Sequence, residues 1–452
     1  MFYTRIMTNK HDLQSKDLLE RDKRFLETTD IPIVTISASY KEDLKGLYGL
    51  SHDDTIPDVV FSRAHYSMAL GVALQIWGEK IDPTKAWVID PTNYVSHKNW
   101  KNIQFTEFVG KALARQPFLK QLKDFIDRFT RKNLPILASI APPLLYLTRD
   151  IKRPILSLHI AAGNILAEQG KTVVQVITDP HIREDYLYHA DKPNISFCVF
   201  DQKTKTDYLE KAKIMGKKVD PKKIIVTGPP VDPRIIACRM QKQPWHLGDL
   251  NLCLTTGGLG TNKSEMSTIL EQLIPHLKSH HPGFKVLVYT GTHLDIRDMV
   301  IKTAKNSRVT IGKIDDVSAP LRLLYHPQIV DANRLLIKYA FPWADGFISK
   351  PSGDMAYDAA ASGSFLLTLQ PWGPWEENIR QVFEQLNISR AAQVEYIIPQ
   401  LDTLLSSTKI APSWVETAMT NAQDIDPLFV TGAANIVKYV RLLSPTHRPS
   451  ST

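Results

Sequence analysis

The sequence has few of the residues that cross-link a chain or anchor it in a membrane. Its 452 residues include three cysteines, Cys198, Cys238 and Cys253, whose spacing fits neither a disulfide framework nor a metal site. No apolar run reaches the roughly 18 residues that a membrane-spanning helix requires. The first 25 residues are too polar for a secretory signal. These absences predict a protein of the reducing cytoplasm without a structural metal.

The glycine-rich segment TTGGLGTNKSE (255–265) does not complete a familiar nucleotide-binding motif. Lys263 stands where the dinucleotide fingerprint has its third glycine, and Asn262 stands where a P-loop requires glycine. Glycines between a strand and a helix still let the backbone approach an anion. An anion-binding loop and a tight turn without a ligand both remain open.

The composition is that of a soluble globular protein, with 43% apolar and 23% charged residues. The length favours two or three domains. A net charge of +8 favours a partner rich in phosphate, such as a nucleotide, a nucleic acid or an anionic membrane. No module of interleaved aromatic and basic residues is present, and no zinc spacing, so we expect no nucleic-acid partner.

Apolar strands alternate with helical patterns in two series, which predicts parallel sheets covered by helices on both faces. The predicted strands are 31–37, 58–62, 86–90, 171–180, 194–200 and 222–233, then 251–256, 285–291, 308–314, 344–350 and 364–370. Residues 134–160 fit a strand with a turn or part of a helical hairpin equally well. The chain is divided into an extension (1–54), a first α/β domain (55–237), a linker (238–249), a second α/β domain (250–412) and C-terminal helices with a tail (413–452).

The segment GFISKPSGDMAYDAAASG (346–363) reads as a strand, a sharp turn and a helix of small residues. In such a sheet this turn lies at the carboxyl edge, where ligands bind. A carboxylate such as Asp358 can accept two hydrogen bonds from vicinal sugar hydroxyls. The alternative is that Asp358 only complements the helix dipole.

Two further turns carry titratable side chains after apolar strands. His65 opens a helix, and the positive helix terminus should lower its pKa and keep a neutral imidazole that can accept a proton. Asp179 and His181 follow the strand at 171–180. The alternative is that these side chains cap helices or face solvent.

Residues 97–133 form a basic amphipathic segment with nine lysines and arginines and three acids. Such a segment can lie on anionic lipid. An ordinary helix with a solvated lysine face is the alternative.

The order of these elements resembles that of family 28 glycosyltransferases, which include monogalactosyldiacylglycerol synthases and the N-acetylglucosaminyltransferase that forms lipid II. FSRAHYSMALGVAL resembles the family's GGGH turn and helix, and ITDPHIREDYLYH resembles its TD-x-x-x-H element. IIVTGPPVDPRI is similar to the strand that closes the first domain, and ISKPSGDMAYDAAASG to the nucleotide-sugar signature, with Lys350 and Asp358 at the family's spacing. WEENIRQV resembles a later QE-x-x-N element.

The resemblance implies a GT-B fold, in which two Rossmann-like domains face a cleft, and an inverting, metal-independent transfer of sugar from UDP-sugar to a hydroxyl, with no cofactor. It implies His65 as base, with Arg63, Asp179 and His181 as candidates on the acceptor side. The implied nucleotide-sugar residues are Gly257, Gly258, Gly260, Lys350, Ser352, Gly353, Asp358, Glu377 and Asn378. A membrane lipid would be the acceptor, and the protein would be peripheral on the inner face of the membrane.

The chain departs from the family where SRAH replaces GGGH, so that Arg63 adds bulk and charge where glycines are expected. This departure keeps open a catalytically silent GT-B module that binds a nucleotide-sugar or a protein. A UDP-sugar epimerase or hydrolase on the same fold is a further alternative, and it would need additional acids in the cleft.

Overall fold

Two six-stranded parallel sheets form the framework of the protein. The computed structural model describes residues 10–39, 59–95, 135–277, 283–408 and 411–444. The basic segment 97–133 lies outside the described residues. Within the described part of the chain, no helix is long and apolar enough to cross a membrane.

The first sheet has the strand order β4-β1-β5-β6-β7-β8. Its strands are β1 (Ile31–Val34), β4 (Ala86–Ile89), β5 (Ile155–Ser157), β6 (Val173–Val176), β7 (Ile195–Val199) and β8 (Ile224–Val226). The helices of this part are α1 (Lys10–Thr28), α2 (Arg63–Trp77), α3 (Pro135–Thr148), α4 (Ile160–Glu168), α5 (Gln202–Ile214) and α6 (Pro233–Arg239). Strand β1 thus joins this sheet from the predicted N-terminal extension.

The second sheet has the order β11-β10-β9-β12-β13-β14, the order of a dinucleotide-type Rossmann sheet. Its strands are β9 (Leu250–Thr255), β10 (Phe284–Gly291), β11 (Leu321–Tyr325), β12 (Gly346–Ser349), β13 (Phe365–Thr368) and β14 (Ser389–Ala391). Its helices are α7 (Lys263–His276), α8 (Leu294–Asn306), α9 (Ile329–Tyr339), α10 (Met355–Ala361), α11 (Pro374–Gln385), α12 (Ile397–Leu405) and α13 (Trp414–Gln423). The predicted α/β class with two Rossmann-like sheets is therefore confirmed.

Both faces of each sheet are buried, which explains why the strands read as continuous apolar runs rather than as alternating patterns. In β6, Val173 faces one apolar cluster and Val174 faces another. The cluster that contains Val174 also contains Cys253 and Phe347 of the second sheet. The two sheets therefore share one continuous core between them.

The last described helix, α14 (Leu428–Leu443), crosses back to the first sheet. Its Ile436 and Val437 lie in the same apolar cluster as Val72 of α2. The Asn435 amide donates a hydrogen bond of 2.9 Å to the carbonyl of Thr227. Any Cβ at Gly432 would clash with the Pro229 carbonyl, so this close approach requires glycine.

Three sequence predictions about strands were wrong or incomplete. Residues 308–314 form no strand beyond a bridge between Gly312 and Arg322, and the strand at this edge is β11. Residues 58–62 contribute only β3 (Val59–Val60), which pairs antiparallel with β2 (Ala38–Ser39) outside the parallel sheets. The ambiguous region 134–160 contains α3 and β5.

Candidate functional site

The site lies where the carboxyl edges of the two sheets meet. In the second sheet the strand order reverses between β9 and β12, and in the first it reverses between β1 and β5. Ligands of open α/β sheets bind outside the carboxyl ends of strands at such reversal points. The loops that follow β9 and β12, residues 256–262 and 350–354, therefore mark a candidate site, and α2 faces them from the first domain.

The glycine-rich loop after β9, residues 256–262, places backbone without side chains at this edge of the sheet. The His293 ring nitrogen Nε2 lies 3.2 Å from the Gly257 carbonyl and can donate to it. Gly260 has a φ of 64°, in the left-handed region that favours glycine. Helix α7 begins at Lys263 without a side-chain cap from Asn262. The loop therefore holds its backbone close to the start of a 14-residue helix.

Two close approaches join this edge to the first domain. A Cβ on Gly258 would lie 2.9 Å from the backbone nitrogen of Arg63. A Cβ on Gly353 would lie 2.6 Å from the Thr178 carbonyl and 2.9 Å from Oδ1 of Asp179. Both positions require glycine because any side chain would force the two domains apart.

The carboxylate of Asp354 lies within the turn after β12 and accepts hydrogen bonds from that turn. Its Oδ1 accepts hydrogen bonds from the Ser352 hydroxyl at 2.6 Å and from the Met355 backbone nitrogen at 2.7 Å. Ser352 and Asp354 thus satisfy each other and the first free N–H of α10.

Arg63 forms a buried ion pair across the two domains. Its Nη2 lies 2.6 Å from Oδ2 of Asp354 and 3.9 Å from Oδ2 of Asp358, and its Nη1 donates to Oδ1 of Asn333 at 2.8 Å. Arg63 is 6% exposed, and both carboxylates are 5% exposed. Burial lowers the pKa of Arg63, but the carboxylates outweigh burial and the pKa lies above its usual value. Arg63 therefore links the two domains across the cleft.

The Asp358 carboxylate is buried with one oxygen unsatisfied. Its Oδ2 accepts no hydrogen bond within the described residues, and Arg63 is too distant to donate one. Burial raises the pKa of Asp358 well above its usual value, and Asp354 and Asp232 add to this effect against the lowering by Arg63. A buried carboxylate with a free oxygen is expensive unless a ligand completes its hydrogen bonds.

Lys350 does not point to open space. Its Nζ forms an ion pair of 2.6 Å with Oε1 of Glu376, and both side chains are buried. Oε2 of Glu376 accepts from the Trp372 backbone nitrogen at 2.6 Å. The Lys350 ammonium also lies 5.6 Å from the centre of the Trp372 ring. This pair fixes the start of α11 against the turn after β12.

The predicted residues Glu377 and Asn378 separate in the structure. Glu377 pairs with Arg380 at 2.6 Å and accepts from Gln381 on the same helix. Asn378 donates to the Pro180 carbonyl of the first domain at 3.1 Å. Asn378 therefore lies at the boundary between the domains, whereas Glu377 is engaged along the side of α11.

His65 lies on the first domain's side of the cleft, near its strand reversal. Its Nε2 is 3.0 Å from the Thr178 hydroxyl, and its ring packs edge-on against His159, with centres 4.8 Å apart. His159 follows β5 and accepts from the Ala161 nitrogen, so it caps α4. Burial lowers the pKa of His65 to about 4. After burial, the positive charge of Arg183 is the next cause of the lowered pKa, and Asp354 opposes it.

Asp179 follows Thr178, the residue that contacts His65, and lies at the cleft. Its carboxylate is partly buried, faces Gly353 and makes no hydrogen bond or ion pair with the described residues. Burial raises its pKa, Arg183 opposes this, and Glu376 reinforces it. His181 lies partly buried with a pKa lowered first by burial and then by Lys211 and Arg183. Asp179 is therefore the unengaged carboxylate that the first domain presents to the cleft.

The sequence did not identify several side chains that the structure brings to the site. These are Asp354, Glu376, Asn333 and His159. Asp354 lies within the segment ISKPSGDMAYDAAASG, and Glu376 lies within WEENIRQV. A helix that begins at Pro374 places Glu376 on the same buried face as Ile379 and Phe383, so its burial was predictable. Asn333 carries no local signal, because its role depends on a partner 270 positions away in the chain.

Comparison with known proteins supports the fold and leaves the family open. No protein-family model and no curated protein matches the sequence. Among solved structures, the S. aureus MnaA structure with UDP is similar at a TM-score of 0.51 and 12% identity, covering 93% of this chain and 100% of that one. A putative UDP-N-acetylglucosamine 2-epimerase from Listeria monocytogenes gives 0.51 and 14%, covering 93% and 99%. Os79 from O. sativa in complex with UDP gives 0.52 and 10%, covering 91% and 100%. At such low identity the likeness shows the fold alone, a two-domain GT-B fold.

Proposed function

We propose that the chain binds a UDP-sugar at the carboxyl edge of the second sheet and transfers its sugar to a hydroxyl acceptor. The observation that carries this proposal is the Asp358 carboxylate, which is buried at this edge with an unsatisfied oxygen. Two similar structures were solved with UDP. A ribose with two adjacent hydroxyls supplies the donors that such a carboxylate lacks.

The rest of the nucleotide is assigned by the same chemistry. The diphosphate would lie against the glycine loop of Gly257, Gly258 and Gly260, where backbone approaches closely and α7 begins without a cap. Lys350 lies beside this loop, with its Cδ 3.4 Å from a Cβ on Gly257. Ser352 and Gly353 would form the wall toward the sugar. Glu377 stays a weaker candidate because Arg380 already engages it.

Entry of the donor requires Arg63 to release Asp354. The ion pair and the Gly258 contact fill the space between the domains in the closed arrangement. A diphosphate offers Arg63 a replacement partner of the same charge sign as Asp354, so exchange need not leave a buried cation unpaired. The departure from GGGH to SRAH is then compatible with binding.

Sugar transfer needs a base on the opposite side of the cleft. The acceptor oxygen would attack the anomeric carbon, the bond from that carbon to the diphosphate oxygen would break, UDP would leave, and the base would take the hydroxyl proton. Attack from the face opposite the leaving group inverts the anomeric configuration. His65 is neutral but a weak base at a pKa of about 4. Asp179 has a raised pKa and no partner within the described residues, so we assign it the base role alongside His65.

The acceptor is proposed to be a membrane lipid, with residues 97–133 on an anionic membrane face. This part of the proposal depends on the segment's nine basic residues against three acids, and on the family resemblance. It predicts a peripheral protein on the inner face of the membrane.

Calorimetry with UDP tests the binding step. The Asp358→Asn variant keeps the side-chain volume and removes the charge, so it should weaken UDP by about 1–3 kcal/mol. Asp402→Asn, an exposed acid on α12, serves as the matched control and should bind like the wild type. Unchanged affinity in a folded Asp358→Asn variant would remove Asp358 from the site.

A transfer assay separates catalysis from silent binding. Radiolabelled UDP-sugars and a lipid extract are incubated with the wild type, Asp179→Asn and His65→Gln. Loss of a base should lower turnover by about 10²–10⁴-fold while UDP-sugar binding stays near wild type. Binding without transfer to any acceptor would favour the silent module.

A UDP-sugar epimerase or hydrolase is the second candidate, with Asp179 and Glu376 as the additional acids that such chemistry would need. The two acids come from opposite domains, and Glu376 lies close enough to Asp179 to help raise the pKa of Asp179. Epimerisation removes a proton from a sugar carbon and returns one to the other face, which needs two acid–base groups. Incubation of UDP-sugar without an acceptor, followed by NMR, should then give a new sugar isomer or free sugar.

A further inference from the structure

A second surface, remote from the cleft, combines exposed apolar side chains with unpaired lysines. It lies at the turn from α5 to β8, residues 211–223, and is here called the lysine tip. In a parallel sheet this turn lies at the amino edge, opposite the carboxyl edge that carries the candidate site. Six lysines and one acid occupy these 13 positions.

The apolar part of the lysine tip is held outward by ordered backbone. Ile214 is 84% exposed and Met215 is 37% exposed at the end of α5. Gly216 has a φ of 68°, and its nitrogen donates to the Lys213 carbonyl at 3.0 Å. The next nitrogen, that of Lys217, donates to the Ala212 carbonyl at 2.9 Å. The helix thus ends in a closed left-handed cap, so Ile214 projects from a fixed position.

The lysines around Ile214 divide into engaged and free groups. Lys217 pairs with Asp191 at 3.2 Å, and Lys223 donates to the Lys192 carbonyl. Lys213, Lys218 and Lys222 are exposed and form no ion pair within the described residues. The one acid of the segment, Asp220, caps the backbone nitrogen of Lys222. Lys213, Lys218 and Lys222 therefore surround the apolar tip with positive charge that no ion pair among the described residues neutralises.

A shallow cavity of about 500 Å³ lies beside the tip. Apolar side chains, three lysines and one acid line it together: Leu209, Ala212, Val219 and Pro221, with Lys213, Lys217, Lys218 and Asp220. Such a lining suits a group that is charged at one end and apolar at the other.

We propose that the lysine tip docks the protein on an anionic phospholipid surface, with Ile214 and Met215 entering the headgroup boundary. A projecting apolar tip ringed by lysines matches a bilayer surface in charge and polarity, since lysines attract anionic headgroups while apolar side chains enter below them. A nucleic acid would use the lysines but gain nothing from Ile214. The proposal does not depend on UDP-sugar binding, and it adds a second membrane contact to the one proposed for residues 97–133.

Sedimentation with vesicles tests the proposal on the full chain. Vesicles of phosphatidylcholine alone are compared with vesicles that also contain phosphatidylglycerol. We expect binding only to the second kind, weakened by salt. The triple change Lys213→Glu, Lys218→Glu and Lys222→Glu should weaken it by about 100-fold or more. Ile214→Ser should weaken it by about tenfold.

Matched controls come from exposed positions of the second domain. The triple change Lys302→Glu, Lys305→Glu and Lys313→Glu carries the same alteration in net charge, and Ile301→Ser alters an exposed isoleucine of α8. Both controls should bind like the wild type, and all variants should keep its melting temperature.

Four results would overturn the proposal. The first is that the wild type binds neither kind of vesicle. The second is that the control lysine changes weaken binding as much as those of the tip. The third is that Ile214→Ser has no effect while the tip lysine changes do, which would indicate a site for soluble polyanions. The fourth is that the tip variants all bind like the wild type, which would leave residues 97–133 as the membrane contact.

Discussion

Arg63 should contribute more to stability than any surface ion pair of the described residues, because both its carboxylate partners are buried with it. The Arg63→Met change keeps an unbranched side chain and removes the charge. It would leave Asp354 and Asp358 together, each 5% exposed, without the cation that lies 2.6 Å from one and 3.9 Å from the other. Removing one partner of such a buried pair costs about 3–5 kcal/mol.

Asp354 would still accept from the Ser352 hydroxyl and the Met355 nitrogen, so we expect the lower end, about 3 kcal/mol. The assay is urea unfolding of the full chain at neutral pH. The exposed pair Lys203 and Asp207, at 2.7 Å, provides the matched control, and Lys203→Met should cost about 0.5 kcal/mol or less.

The double change Arg63→Met with Asp354→Asn separates the cost of the uncompensated charge from the cost of lost packing in Arg63→Met. It removes one uncompensated carboxylate, so it should recover a substantial part of the free energy of unfolding lost in Arg63→Met. If Arg63→Met costs no more than the Lys203 control, or if the double change recovers nothing, a buried cross-domain charge pair does not stabilise this fold.

Three further predictions concern pH and the remaining charges. The pKa of His65 is about 4 in the folded state against 6.5 for a solvated histidine, so stability is lost as pH falls through this window. The free energy of unfolding should therefore be about 2 kcal/mol lower at pH 5 than at pH 7.5 because of His65, and this difference should be absent in the His65→Gln variant. The pKa of Asp358 in the folded state lies well above 3.8, so this carboxyl group lowers the free energy of unfolding progressively as pH rises above about 4. Asp358→Asn should therefore stabilise the protein more at pH 7 than at pH 4, and an equal effect at both would contradict this. Lys350→Met should destabilise the protein by about 3–5 kcal/mol, because it leaves Glu376 buried without its cation. Glu376→Gln should cost less, because glutamine keeps an acceptor for the Trp372 nitrogen, and urea unfolding of both variants measures the difference.

The sequence predicted most strands because both faces of each sheet are buried and the strands are continuous apolar runs. It missed β11 because Arg322 interrupts the run at Leu321–Tyr325. That arginine is buried by contacts that local patterns do not reveal: its guanidinium lies 4.1 Å from the Trp343 ring centre and donates to the Ile314 carbonyl. A charged residue in a strand is therefore read as an exposed loop unless its distant partners are known.

The candidate site was predictable in its placement and not in its pairings. The strand–turn–helix pattern of the sequence is sufficient to put Lys350 and Asp358 at a carboxyl edge. The pairing of Lys350 with Glu376 rather than Glu377 depends on the helical register that Pro374 sets at the start of α11. The pairing of Arg63 with Asp354 depends on how two domains meet, which no local spacing encodes.

The return of α14 to the first domain has a consequence for synthesis on the ribosome. Helix α2 ends at Trp77, but Ile436 and Val437, which pack on its apolar face, are made about 360 residues later. At about 5–20 residues per second, roughly 20–70 s pass between the two events. During that interval the face of α2 that packs against α14 has no native cover, so a nascent chain stalled before residue 428 should need a chaperone where a chain that includes α14 does not.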